Sequence, residues 1–250
     1  MEELGIPPDK VWLGYDAVDN GYFAREAAAV RAEPERWRSE LSLPERFFLT
    51  CCRFVGKKNL PRLMRAYRSY RERSERPWDL VMCGDGPLAD DLRARAGGLA
   101  GIHWPGFVQI GDLPKYYGLA SAFALPSTTE QWGLVVNEAM ASGLPVLVSD
   151  RAGCRYDLVQ DGVNGWLFDP YDVGDMADEM LRMSSLNDEE RQRMGNASID
   201  IIANWGPDRF AQGLWQAIQA AQRRKREANS IASRLVLRLL THPLLCARKK

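Results

Sequence analysis

Residues 126–146 of this 250-residue chain read PSTTEQWGLVVNEAMASGLPV, and the stretch places two carboxylates eight positions apart. Glu130 lies in a predicted loop, and Glu138 lies in the helix that is predicted to follow it. The apolar run at 120–125 predicts a buried strand before the loop, and residues 145–148 predict another strand after the helix. Both carboxylates are therefore expected at the carboxyl edge of a parallel sheet, where open α/β folds bind their ligands.

The first turn of this helix is suited to binding a phosphate. The amides of Gly133, Leu134 and Val135 would have no partners within the helix, and they would lie at the positive end of its dipole. Glu138 could then accept hydrogen bonds from the hydroxyls of a ribose, as acidic residues do in dinucleotide-binding folds, and Glu130 from those of a second polyol. A phosphate between two hydroxyl-rich groups describes a nucleotide sugar.

An ordinary structural role for the two carboxylates is the alternative. Glu130 would then be a first-turn helix residue, and Glu138 a solvated one. The predicted helix is, however, apolar on nearly every face, so it is expected to be buried, and a carboxylate on a buried helix needs partners. The pattern therefore favours a binding site.

The same stretch resembles the Glu-x7-Glu motif of the retaining glycosyltransferases of family 4, which have the GT-B fold. The match includes the Pro-Ser lead-in, Trp132 and Gly133 after the first glutamate, and the run EAMASGLPV that begins at Glu138. The resemblance covers residues 4–222 and implies the C-terminal, donor-binding half of the fold. It implies that Glu138 binds the ribose, that Glu130 binds hydroxyls of the donor sugar, and that Trp132 lies among the donor-binding residues.

A basic pair follows the first predicted strand, in the segment CCRFVGKKN at 51–59. Arg53 offers a planar fork and Lys58 a point charge, the two usual ways of holding phosphates. Such a pair is more often a solvated surface, but here it resembles the family's Gly-Arg…Lys-Asn diphosphate clamp. The resemblance implies that Arg53 and Lys58 bind the diphosphate and act in catalysis with Glu130. Cys52 stands where the family usually has glycine, which leaves the packing against the ligand open.

Two further loops are expected near the nucleotide. Gly84, Asp85 and Gly86 form a turn after the second predicted strand, where glycine permits positive φ. The resemblance places this turn beside the nucleotide, although a plain strand-to-helix turn fits equally well. After the third strand, the resemblance implies that Phe107 and Val108 contact the base.

The segment SDRAGCRYDLV at 149–159 departs from the family pattern. Cys154 and Asp157 stand where a glycine and a glutamate are usual. The departure leaves the shape of this loop and the preference for a donor sugar open.

Strands and helices alternate along the chain, which predicts an α/β fold with a Rossmann-like, doubly wound parallel sheet, one half of a GT-B fold. The predicted strands are 47–52, 79–83, 102–104, 122–125, 146–149 and 165–168. The predicted helices besides the motif helix are 24–43, 59–75, 88–96, 113–118, 172–184, 188–204 and 208–226. Asn187 and Glu190 predict a capping box. The predicted organisation is an interdomain lead-in at 1–23, a nucleotide-sugar-binding domain at 24–222 and a basic tail at 223–250.

Composition narrows the class of protein. Lys plus Arg and Asp plus Glu are both 33, so no basic field favours nucleic acid. Five cysteines without metal-ligand spacing are typical of a reducing compartment, and neither a signal peptide nor a membrane-spanning run is found. We therefore expect a cytoplasmic protein. Peripheral contact of the tail at 223–250 with the inner face of a membrane is an alternative, because Ile231, Leu235 and Leu239 recur at helical spacing. A final helix returning to a first domain, or disorder, is the favoured interpretation of this tail.

No metal or other cofactor is expected, because no Asp-x-Asp pair follows an apolar strand and the basic pair supplies the positive charge. The two histidines, His103 and His242, form no catalytic triad, and His103 is expected in the core. The family's N-terminal acceptor domain is not matched, so a missing or separate domain is expected to hold the acceptor.

Two other functions remain open on these residues. One is a nucleotide-sugar epimerase of the same fold, and the other is a non-catalytic sugar-nucleotide-binding or assembly partner. The base, the sugar and the acceptor are left open, and polysaccharide, lipopolysaccharide or glycolipid synthesis is only the commonest case in the family.

Overall fold

The computed structural model describes residue 7, residues 11–12 and residues 16–228, with side chains as far as residue 223. The chain divides into two compact units, Asp16–Gly206 and a unit made of the terminal segments Met1–Tyr15 and Pro207–Lys250. The lead-in predicted at 1–23 lies mostly outside the described residues, and so does most of the predicted tail.

A six-stranded parallel sheet forms the centre of the Asp16–Gly206 unit. Its strands are β1 Phe47–Cys51, β2 Asp79–Cys83, β3 Ile102–Gly106, β4 Ala122–Leu125, β5 Val146–Ser149 and β6 Gly165–Phe168. Their order in the sheet is β3-β2-β1-β4-β5-β6, and every pair is parallel. This is the strand order of the Rossmann fold, so the predicted α/β architecture is confirmed.

Helices surround the sheet. They are α1 Asn20–Ala32, α2 Pro34–Leu41, α3 Leu60–Arg73, α4 Ala89–Arg95, α5 Leu113–Leu119, α6 Leu134–Ala141, α7 Arg155–Leu158, α8 Val173–Ser185 and α9 Asp188–Ile202. In the other unit, α10 spans Pro207–Ala228. Among the described residues, no helix is both long and apolar enough to span a bilayer.

Most of the stretch predicted to be helical, 24–43, is helical, but it forms two helices. Pro34 has no amide hydrogen to continue α1, and it instead begins α2. The short 3-10 helix at Gly56–Lys58 and the one-turn helix α7 were not predicted. The capping box is confirmed, since the backbone amides of Asn187 and Glu190 each donate to the side-chain oxygen of the other residue at 2.9 Å.

Both faces of the sheet are covered, which makes the strands almost continuously apolar. Leu49 and Phe123 face the layer of α1, α5 and α6, whereas Phe48 and Leu147 face the layer of α3 and α8. The side chains alternate between the two faces with the period of a strand. Burial of the strands leaves only the loops at either edge of the sheet free to carry a site.

Candidate active site

The candidate site lies where the order of the strands reverses, between β1 and β4. The loops that follow these neighbouring strands meet at the carboxyl edge, where the Thr128 amide donates to the Lys57 carbonyl at 2.9 Å. Asn59 ties them further, because its side-chain amide donates to the Pro126 carbonyl at 3.0 Å. The same amide donates at 2.7 Å to the carbonyl of Pro170, in the loop after β6. Such a switch point is where open α/β sheets bind ligands.

Lys58 and Glu130 form an ion pair between the loops after β1 and β4. Their side chains are 14% and 12% exposed, and the Ser127 hydroxyl donates to the same carboxylate oxygen at 3.3 Å. Removal of one member of a buried pair leaves the other charge uncompensated, so each residue depends on the other. The structure thus brings together two of the predicted site residues.

The loop after β5 holds the loop of Glu130 from its other side. The Gly153 amide donates to the Glu130 carbonyl at 3.0 Å, and the Cys154 amide donates to the Trp132 carbonyl at 3.2 Å. A Cβ atom at position 153 would lie 1.8 Å from the Gln131 carbonyl oxygen, so the approach requires glycine. Cys154 is fully buried, and burial raises the pKa of its thiol to about 12. The thiol therefore stays neutral and fills space beneath the loop.

Helix α6 begins after Gly133, and no side chain in the described part of the structure caps its first turn. Glu138 lies within the helix, where its carboxylate accepts a hydrogen bond of 2.7 Å from the Tyr117 hydroxyl. Burial raises the pKa of Glu138, and the bond from Tyr117 opposes the rise. Glu130 precedes the helix, which excludes the alternative that it is a first-turn helix residue.

The expected burial of α6 is correct for most of the helix but not for its start. Leu134 is 39% exposed and Val135 is partly buried, whereas the rest of the apolar side chains are buried. The helix begins beside Glu130, because a Cβ atom at Gly133 would lie 3.4 Å from the Glu130 side chain. Its first turn is partly exposed, and no described side chain caps its amides.

Trp132 is buried, although the motif predicts it among the donor-binding residues. Its indole N–H donates to the Asn137 side-chain oxygen at 2.9 Å, and its ring lies 5.3 Å from that of Trp205. These contacts give the Trp132 side chain a role in fixing the loop against α6.

Arg53 lies at the same edge of the sheet, but its side chain does not join the Lys58–Glu130 pair. The residue is exposed, and its guanidinium makes no hydrogen bond or ion pair to any residue that the structure describes, although its carbonyl accepts from the Val55 amide at 2.9 Å. Cys52, beside it, is partly buried, and burial raises the pKa of its thiol to about 12. The Arg53 guanidinium is thus free to meet a ligand from the solvent side, whereas the Cys52 thiol is neutral and lies near Lys58 and Glu130.

Gly84 and Gly86 pack against the loop after β1. Gly84 has φ of +139°, and a Cβ atom there would lie 1.9 Å from the Cys52 carbonyl oxygen. The Asp85 carbonyl accepts from the Phe54 amide at 2.8 Å, and the exposed Asp85 carboxylate accepts from the Gly86 amide at 2.7 Å. The plain-turn interpretation accounts for these contacts, and the turn also supports the segment that carries Arg53.

Phe107 and Val108 follow β3, at the far side of the same edge. Phe107 is 68% exposed, whereas Val108 is partly buried against the core. An exposed ring at this edge is able to stack on a planar group. His103, in contrast, contacts the Asp79 carboxylate at 2.8 Å near the start of β2, so it takes no part in the site.

Sequence reasoning missed the site role of Tyr117 and the full role of Asn59. Tyr117 is fully buried, and a buried tyrosine hydroxyl usually has a partner, which was the available signal. Asn59 was part of the basic motif, but nothing in that motif shows that it binds two carbonyls. In the stretch 16–228 and at the few other described positions, no three His, Cys, Asp or Glu side chains are grouped to hold a metal ion.

The comparison with known families agrees with this geometry. Residues 32–200, more than half of the chain, match the family model described as glycosyl transferases group 1. The chain belongs to the group 1 glycosyltransferases.

A curated relative within this family is the GDP-mannose-dependent alpha-(1-6)-phosphatidylinositol monomannoside mannosyltransferase of Mycobacterium tuberculosis. It is 32% identical over 210 residues, which cover 79% of this chain and 52% of the relative. This group 1 chain therefore spans about half the length of that relative.

Solved structures of group 1 and related proteins show the same fold. The C-terminal domain of a group 1 glycosyl transferase, LpcC of Francisella tularensis, has a TM-score of 0.64 at 21% identity, over 75% of this chain and 97% of that one. HepE of Anabaena, in complex with UDP and glucose, has a TM-score of 0.67 at 17% identity, over 82% of this chain and 55% of that one. The sheet of this chain is therefore the Rossmann-like half of a GT-B fold.

Proposed function

We propose that this chain is the donor-binding half of a retaining glycosyltransferase of family 4, which transfers a hexosyl group from a nucleotide sugar to an acceptor. The observation that carries the proposal is the buried pair of Lys58 and Glu130 beside the uncapped first turn of α6. Because the chain belongs to the group 1 glycosyltransferases, we infer that this arrangement serves sugar transfer.

The diphosphate of the donor would lie at the start of α6. Lys58 is the buried cation at this position, Arg53 approaches from the solvent, and the amides of 133–135 point along the positive end of the helix dipole. As the bond between the sugar and the diphosphate breaks, its electron pair goes to the leaving oxygen. Fixed positive groups that stabilise this developing charge are the main catalytic contribution of the site.

The two carboxylates would bind the hydroxyl groups on either side of the diphosphate. Glu138 is placed to accept from the ribose, and Glu130 from the donor sugar once its contact with Lys58 is shared with the ligand. Phe107 is exposed for contact with the base, beside Val108 and the turn at 84–86. UDP is bound by the HepE protein, and GDP-mannose is named for the mannosyltransferase, so both bases are candidates here.

The acceptor would be bound by a further N-terminal domain, in the same protein or in a partner, because this chain spans about half of its relatives. We also propose that the reaction needs no metal ion and takes place in the cytoplasm, with the basic tail at the inner face of the membrane. Glycolipid or polysaccharide synthesis is the proposed setting, since a phosphatidylinositol mannoside is the acceptor named for one relative.

A non-catalytic nucleotide-sugar-binding partner is the second candidate, and the half-length match favours it. The epimerase alternative has no support, because the matched family consists of glycosyltransferases. Transfer of a radiolabelled sugar to a membrane extract would distinguish a catalytic half from a binding partner.

Calorimetric titration of the chain with UDP, GDP and ADP, and with their sugar conjugates, tests the proposal without added metal. We expect one base to bind, and we expect Glu138→Ala and Arg53→Ala to weaken that binding at least tenfold, the loss of about 1.4 kcal/mol. Arg65→Ala, which removes an exposed arginine from α3, is the matched control. A folded chain that binds none of these nucleotides would overturn the proposal.

A further inference from the structure

Tyr117 contacts the candidate site, although it belongs to none of the sequence motifs described above. It lies on α5, its side chain is fully buried, and its hydroxyl donates to the Glu138 Oε2 atom at 2.7 Å. The other carboxylate oxygen, Oε1, makes no hydrogen bond to a residue within the described ranges. One oxygen of Glu138 is therefore held by the protein, and the other is left for a ligand.

The ring of Tyr117 is held by helix α1 and strand β4. Its centroid lies 5.9 Å from that of Phe23 on α1, edge to face, and 5.9 Å from that of Phe123 on β4. The next residue, Gly118, lies so close to α1 that a Cβ atom there would be 2.9 Å from the Ala27 carbonyl oxygen. Because the ring is enclosed, the hydroxyl has a fixed position from which to hold the carboxylate.

The groups around Glu138 leave Tyr117 as its main donor. Burial raises the pKa of Tyr117 well above its usual value, so the phenol stays protonated. The thiols of Cys51 on β1 and Cys83 on β2 also face this cluster, and burial raises the pKa of Cys51 to about 12, so that thiol is neutral. Lys58, the nearby cation, is paired with Glu130.

We propose that Tyr117 is a positioning residue for donor binding, whose hydroxyl fixes Glu138 so that its free carboxylate oxygen receives the vicinal hydroxyls of a ribose. The inference rests on the proposed function of the site. It adds a residue on α5 to a site that is otherwise built from α6 and the loops that follow the strands. The hydrogen bond also stabilises the charged form of Glu138, since it opposes the effect of burial on that carboxyl.

The test is a calorimetric titration with UDP and with GDP, without metal, over the range from acid to neutral pH. Tyr117→Phe keeps the ring and removes the hydroxyl, and at neutral pH we expect it to bind about tenfold more weakly, as for the loss of one hydrogen bond to a charged group. The pH below which binding is lost should also move upward, because Glu138 is then protonated more readily. Tyr116→Phe is the matched control, since Tyr116 is a buried neighbour on α5 with no bond to Glu138 among the described residues.

Two more measurements separate positioning from a merely structural role. In a Glu138→Gln background, Tyr117→Phe should cause no shift of the pH profile, because the group that titrates is gone. Replacement of Tyr117 by 3-fluorotyrosine keeps the fold and strengthens the donor, so it should move the pH of binding loss downward. This second variant does not depend on the folding of Tyr117→Phe.

The outcomes of the titration distinguish this inference from the proposed function. If the unchanged chain binds UDP or GDP but Tyr117→Phe matches Tyr116→Phe in both affinity and pH profile, the role of Tyr117 is overturned and the donor site stands. If the unchanged chain binds no nucleotide, the proposed function itself is overturned.

Discussion

The two ends of α6 lie at opposite edges of the sheet, and the protein treats them differently. At the amino edge, the Arg31 guanidinium donates to the Ser142 carbonyl at 2.8 Å, which satisfies the end of the helix with a cation. At the carboxyl edge, none of the described side chains caps the first turn, and the nearby cation Lys58 is paired with Glu130 instead. One end is completed by the protein, and the other is left to be completed by a ligand.

The ion pairs at the two edges differ in exposure: the Lys58–Glu130 pair at the carboxyl edge is largely buried, and the pairs at the amino edge are exposed. Asp188, at the amino edge, is 70% exposed and binds Arg46 at 3.0 Å and Arg191 at 2.8 Å. A cavity of about 460 Å³ opens there, and these residues and Arg31 line it. Arg46 and Arg191 already bind Asp188, and Arg31 binds the Ser142 carbonyl, so size alone does not make this cavity the active site. The start of α6 is distinguished from this edge by its uncapped first turn, not by the volume of a cavity.

The largest expected effect is the difference in stability and nucleotide binding between two variants that each lack one cation, one at each edge. Lys58→Ala leaves the Glu130 carboxylate buried without its partner, so we expect a loss of about 3–5 kcal/mol in the free energy of unfolding and no measurable nucleotide binding. Arg46→Ala breaks an exposed pair, so it should cost less than about 1 kcal/mol and leave binding unchanged. Urea denaturation and calorimetry of both variants measure these effects, and equal losses would break the comparison.

Two tightly packed glycines, one at each edge, should give the next largest effect. A Cβ atom would lie 1.8 Å from the Gln131 carbonyl oxygen at position 153, and 2.2 Å from the Gly143 carbonyl oxygen at position 195. Both Gly153→Ala and Gly195→Ala should therefore cost about 1–3 kcal/mol of stability, as overpacking does.

Only Gly153→Ala should also weaken nucleotide binding, because Gly153 holds the loop of Glu130. Affinity is measured at a temperature where both variants remain folded. A loss of affinity in Gly195→Ala would show that the amino edge contributes to the site.

The charge of Glu138 should have the smallest effect on stability, and the size of this effect depends on pH. Because burial raises the pKa of Glu138 in the folded protein, the folded state binds this proton more tightly than the unfolded chain does. The free energy of unfolding therefore falls as pH rises above the usual carboxyl range. Glutamine at position 138 does not titrate. The Tm of Glu138→Gln minus the Tm of the unchanged chain should therefore increase from about pH 4 to neutral pH.

Thermal melting of both proteins at several pH values measures this difference in Tm. Glu189→Gln, which removes an exposed carboxylate from α9, is the matched control. A constant difference in Tm between the Glu138 variant and the unchanged chain would contradict the expectation.

The sheet could be predicted almost completely from the sequence. Four strands, β2, β4, β5 and β6, have the predicted bounds, because strands buried on both faces form apolar runs that end at turn residues. The division of the first predicted helix at Pro34 was missed because the charged residues on both sides favour a helix equally. The single turn of α7 is too short to show a helical period.

The site could be predicted only where its residues are contiguous in sequence. The motif indicates Glu130 and Glu138, and the loop after β1 indicates Lys58, but their contacts depend on β1 and β4 being neighbours. The bond from Tyr117 to Glu138 joins residues 21 positions apart on separate helices, and no local pattern records it. The loops were therefore visible in the sequence, whereas the bonds between them were not.

The side chain of Asn59 has a consequence for the engineering of such proteins. One amide group binds the carbonyls of Pro126 and Pro170, so it couples the loops after β1, β4 and β6. Exchange of a single loop with that of a relative, in order to change the sugar that is used, would leave a carbonyl without its donor or move it out of reach. Grafts at this edge should therefore succeed when the three loops are transplanted as a set, together with Asn59.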